Sequence, residues 1–115
     1  MLYQDALDYM SKDLTVAKIY DFVTMKSMTK SEAIELLNYF LENSDNSEIR
    51  KMSLQAFKVL ELKSNKAFSV LEACLLLDED SEVKNTAKEI ITYIFPKKSK
   101  ELLKWISKNE NDLES

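Results

Sequence analysis

The chain contains no glycine, no histidine, one cysteine and one proline, and each shortage excludes something. Tight β-hairpins lean on Gly or Asn-Gly turns, so a chain without glycine is pushed toward helices. Without histidine there is no Ser-His-Asp or Cys-His arrangement, and most zinc chemistry goes with it. The lone cysteine, Cys74, makes no internal disulfide, which points to a reducing, cytoplasmic setting. It shares a predicted helix face with Leu71 and Leu75, where a thiol packs as a small hydrophobe with no base to activate it. The longest apolar run, Ala73 to Leu77, is far too short to span a membrane. The first residues carry Asp5 and Asp8 and lack the basic start of a secretion signal. These absences give an expectation of a non-enzymatic protein with no cofactor, no metal and no membrane contact.

What is present fits one domain of 115 residues, 45% apolar and 31% charged, an ordinary balance for a globular chain. The formal net charge of −4 weighs against nucleic acid as the main ligand. The charge is uneven: Asp78, Glu79, Asp80 and Glu82 cluster without a cation, whereas Lys97, Lys98, Lys100, Lys104 and Lys108 face Glu101 alone.

Apolar residues recur at three- and four-residue spacing, and this periodicity predicts seven helices. The first carries Leu2, Tyr3, Ala6, Leu7 and Met10. The second, capped by Asp13, carries Val16, Ile19, Tyr20 and Val23. A capping box of Thr29 and Glu32 starts the third, with Ile34, Leu37, Phe40 and Leu41 inward. Asn46 or Ser47 starts the fourth, which turns Ile49, Met52, Ala56, Phe57 and Leu60 inward. Ser64 or Asn65 starts the fifth, apolar nearly all round and so expected in the middle of the fold. The sixth runs from about Ser81 to Phe95, burying Val83, Ala87, Ile90, Ile91 and Ile94. Pro96 ends it and can open a seventh bearing Leu102, Leu103, Trp105 and Ile106.

The strongest pattern is an internal echo. Ser44-Asp45-Asn46-Ser47-Glu48-Ile49-Arg50 returns 34 positions later as Asp78-Glu79-Asp80-Ser81-Glu82-Val83-Lys84. The same shift carries Ile34 to Phe68 and Leu102, Leu37 to Leu71 and Trp105, Ala56 to Ile90, and Leu60 to Ile94. The N-terminal pair matches loosely, as an end unit would. Self-similarity at this period is the mark of stacked helical units that bury their apolar faces only against each other.

On these residues the chain resembles the HEAT-repeat family, whose units join an apolar first helix to a second through a turn like D-P-D-P-E-V-R. Asp78, Asp80, Glu82, Val83, Lys84 and Ala87 match the later copy; Asn46, Glu48, Ile49, Arg50 and Ser53 match the earlier one. The period is shorter than the family's roughly 40 residues, and serines stand where its turn has prolines. Tetratricopeptide units share the 34-residue period, but their glycine finds no match. The resemblance implies an all-α, right-handed α-α superhelix of about three and a half helical hairpins, seven helices in one domain. Its units would be roughly 1–29, 30–63 and 64–96, with a half unit at 97–110. It also implies that Arg50 and Lys84 bond to acidic turn residues of a neighbouring unit.

Such stacks bind macromolecules, and the expected function is a scaffold or adaptor module holding a protein or peptide on the concave face of its second helices. By the 34-residue register the solvent-facing candidates there are Lys51 with Asn85, Leu54 with Lys88, Gln55 with Glu89, and Lys58 with Thr92. Leu54 is the expected apolar anchor. An alternative is a nucleic-acid or other anionic partner held by Lys97, Lys100, Lys104 and Lys108, which share one side of the last helix. Opposite them Leu102, Trp105 and Ile106 need cover, from the sixth helix or by self-association. The acidic run at 78–82 has Val83 where a calcium loop needs glycine, so it reads as a helix start.

Overall fold

The described residues of the computed structural model are 15–114, with side chains described from 15 to 109. Among them the chain forms six helices and no strand: α1 (Val16–Thr24), α2 (Lys30–Asn43), α3 (Ser47–Val59), α4 (Asn65–Leu77), α5 (Ser81–Ile94) and α6 (Pro96–Glu114). The first predicted helix, Leu2 to Met10, lies outside the described residues, as does Asp13.

Side chains set most helix starts. Thr15, not Asp13, caps α1, its hydroxyl accepting from the Lys18 N–H at 3.2 Å. Thr29 and Glu32 form the reciprocal capping box on α2. Asn46 and Asp80 cap α3 and α5, the Oδ1 of each accepting from the N–H groups two and three residues on. Ser64 caps α4. Pro96 opens α6, where its missing N–H costs nothing.

Two helix ends share a motif that needs a left-handed residue. After α1, Lys26 has φ 60°, with Lys26 N–H bonding Val23 O and Ser27 N–H bonding Phe22 O. After α3, Glu61 has φ 54°, with Glu61 N–H bonding Lys58 O and Leu62 N–H bonding Phe57 O. Both are Schellman endings. They stand 35 residues apart (61 − 26), one more than the repeat shift.

The helices lie in two layers. α2 packs on α3 and α4 on α5, while α3 also packs beside α5, α2 beside α4 and α1 beside α3. α6 packs on α5. The Cα extents of 52 × 28 × 17 Å make the shortest dimension about two helices deep. One hydrophobic core runs between the layers, with Ile19, Ile34, Leu37, Leu54, Phe57, Leu71, Val83 and Ile91 buried. Buried Ser53 satisfies its hydroxyl on the Ile49 carbonyl at 2.8 Å.

Two expectations about the inward faces are corrected. Ile49 and Met52 are exposed, although the apolar stripe of α3 predicts them inward. Leu76 and Leu77 are exposed too, so the nearly all-apolar α4 is not covered at its C-terminal end. No described helix is long and apolar enough to cross a membrane.

Candidate partner-binding surface

The repeated phrase builds a clamp between successive turns. Arg50, at the first turn of α3, reaches the turn before α5: its Nε donates to Asp78 Oδ2 at 3.0 Å and its second terminal nitrogen to Asp78 Oδ1 at 3.3 Å. The remaining terminal nitrogen donates to the Ser44 carbonyl of its own turn at 2.8 Å. Ser44 and Asp78 are the same register position, so one guanidinium ties two equivalent turns. Both partners are largely buried, and the two-pronged geometry suits arginine and not lysine.

This clamp also settles the acidic run. Asp78 receives Arg50 and the Asp80 N–H at 2.9 Å, Asp80 caps α5, and Glu82 accepts from Lys51 at 3.0 Å. Asp78, Asp80 and Glu82 are dispersed into separate structural bonds instead of converging on a common centre. Cys74 lies buried in α4, where desolvation first and the Asp78 charge second push its thiol up to about 12. At neutral pH it is a protonated packing group.

The eight expected partner-binding residues divide. Gln55, Lys58, Asn85, Lys88, Glu89 and Thr92 are exposed on α3 and α5. Lys51 is half-buried and engaged with both Glu48 and Glu82, which hold its ammonium well above the usual lysine range. Leu54 is a correction: at 0% exposure it is a core residue, not a solvent-facing anchor. Its helix neighbours explain the burial. Lys51 and Lys58, three residues before it and four after, both reach α5, to Glu82 and to the Tyr93 ring. Leu54 lies on that same side and is sealed between the helices.

The exposed apolar residues of this surface are ones the register could have found. Val59 and Tyr93 are 34 apart, stand at the same position of α3 and α5, and are 60% and 66% exposed. Lys58 Nζ lies 4.5 Å from the Tyr93 ring centroid, bridging the two helices. Exposed Met52 adds to the patch. The signal was an apolar pair in register but off the core stripe.

On α6, Lys97, Lys100, Lys104 and Lys108 are all exposed. Lys98 behaves differently, donating to Asn65 Oδ1 at 2.9 Å and lying over the Phe68 ring. Of the three residues opposite the stripe, Leu102 is buried, Ile106 is half-buried against the core, and Trp105 is 56% exposed. Comparisons with family models, curated proteins and solved structures find no match for this chain.

Proposed function

We propose that this chain is a non-enzymatic protein-interaction module, a HEAT-like right-handed superhelix of helical hairpins that holds a protein or peptide along the exposed side of its second helices. In this reading 30–63 and 64–96 are complete units, and α3 and α5 are their second helices. The pairing of α2 with α4 and α3 with α5, and the Arg50 clamp between equivalent turns, support it. The observation that carries it is the exposed pair Val59 and Tyr93 at one register position, flanked by Gln55, Lys58, Glu89 and Thr92. Apolar centres inside a polar rim are what protein contacts use.

The test is the double substitution Val59→Lys with Tyr93→Lys. Both side chains are exposed, so circular dichroism and melting should be unchanged, while partners captured from the native host by the parent chain should be lost. An unchanged set of captured partners assigns the contact elsewhere.

A second reading rests on the four exposed lysines of α6: an anionic partner, nucleic acid included. It requires duplex or polyanion affinity that falls steeply with salt, by about 0.9 log units per log unit of salt for each phosphate neutralised. Absence of binding at low salt removes it.

A further inference from the structure

Successive turns of this chain alternate in charge, and antiparallel packing sends the two kinds to opposite edges of the molecule. Positions 42–48 hold three acids and 78–82 four, neither stretch with a cation. Positions 26–30 hold two lysines, 63–66 two and 97–100 three, none with an acid. The acidic stretches lead into α3 and α5, the basic ones into α2, α4 and α6. The 13 residues of α4 set the two edges about 20 Å apart. Along each edge neighbouring turns are tied together. Arg50 bonds the Ser44 carbonyl and Asp78 on the acidic edge, and Lys98 of α6 donates to Asn65 Oδ1 at the start of α4 on the basic one.

Both edges also present exposed charges at one spacing. Asp45 and Glu79 are 34 residues apart (79 − 45), and so are Lys63 and Lys97 (97 − 63). All four side chains are exposed. Among the described residues Asp45, Glu79 and Lys97 enter no ion pair, and Lys63 reaches Glu61 only at 3.9 Å. Because one repeat sets both spacings, two acids on one edge match two lysines on the other in pitch. We infer that copies of this chain associate edge to edge, the acidic edge of one against the basic edge of the next, with Asp45 and Glu79 facing Lys63 and Lys97. A second copy is the occupant because the molecule carries both halves of the match. Leu77, 78% exposed beside Glu79, and Met25, 70% exposed beside Lys26, add an apolar contact to each edge. The contact is heterologous: every added copy brings one more edge of each sign, so the assembly does not close. Both edges run alongside the stack, so a longer stack lengthens them and covers neither. The inference needs the packed helices of the fold and not the patch around Val59 and Tyr93.

The test is sedimentation of the intact chain over a range of concentrations and salt. At about 10 mM salt, where charges act over about 30 Å, the average mass should climb past that of a dimer as the chain approaches about 1 mM. At about 300 mM salt it should fall back to the monomer. Asp45→Lys with Glu79→Lys sets lysines against lysines, and Lys63→Glu with Lys97→Glu sets acids against acids. Each pair of substitutions should weaken association about tenfold with circular dichroism unchanged. An equal mixture of the two variants should associate again, and so should one chain carrying all four substitutions. A parent that stays monomeric at low salt overturns the inference, as does assembly that either variant leaves unaltered or a mixture that fails to restore it. A dimer that stops growing with concentration marks a closed, isologous contact and overturns it as well.

Discussion

The helices α3 and α5 open on the same phrase, yet they live in different surroundings. In their layer α3 is flanked by α1 and α5, whereas α5 has only α3 among the described residues. The leucine at position 54 is therefore sealed, and the residue at the same place on α5 is a lysine in solvent. At the phrase itself the order reverses: Ile49 is 36% exposed and Val83 is 0%. α5 packs beside α3, and Val83 is sealed in the core, whereas Ile49, in the first turn of α3, is left in solvent. Burial in this chain is set by what the neighbouring helix reaches, not by the residue's place in the repeat.

That comparison breaks if equivalent positions respond alike. The largest difference should be at the interhelix contact: Leu54→Ala should lower unfolding free energy by about 3 kcal/mol, through lost burial and a residual cavity. Lys88→Ala should change it by less than about 0.5 kcal/mol in the same denaturant titration. Next comes the clamp. Arg50→Ala strands a largely buried carboxylate and should cost about 2–3 kcal/mol, while Lys84→Ala should be near neutral by thermal melting. Equal losses for Arg50 and Lys84 would mean that both layers are closed.

A smaller effect probes α4 alone. In the unfolded chain the Cys74 thiol ionises near its ordinary 9.0, while in the folded chain it holds its proton to about 12. Between those values the unfolded state has lost a proton that the native state keeps, so stability must fall as pH rises. The slope approaches about 1.4 kcal/mol per pH unit, is about half that at pH 9 and fades below about pH 8. Cys74→Ala should flatten it relative to the parent, measured by denaturation at a series of alkaline pH values.

Much of this was legible in the chain. The capping box at Thr29 and Glu32, the starts at Asn46, Ser64 and Ser81, and the role of Pro96 follow from local hydrogen-bonding rules that tertiary context did not override. The 34-residue echo also led to the Arg50 bond with the neighbouring turn, which the family resemblance implied. The misses have one cause. Leu54, Ile49 and Met52 were assigned by helix face, and a face is buried or exposed only with respect to a neighbour whose length is not written on the helix. The N-terminal pair matched loosely because its shared ending sits at a shift of 35, a one-residue insertion that blurs the register. Val59 and Tyr93 were passed over because a search for core stripes discards apolar residues on the wet side.

The left-handed turns at Lys26 and Glu61 leave the molecule with untapped stability. Each holds a Cβ-bearing side chain where only glycine sits without steric penalty, in a chain that has no glycine anywhere. Glu61→Gly should therefore stabilise the fold by up to about 1 kcal/mol, and Lys26→Gly by a similar amount, seen as raised melting temperatures. Lys26 follows α1, outside α3 and α5, whereas the Glu61 N–H bonds the Lys58 carbonyl at the edge of the patch around Val59 and Tyr93. A doubly glycine-substituted parent would tolerate the harsher replacements above while still folding, leaving the second-helix patch and the acidic edge free to be dissected one residue at a time.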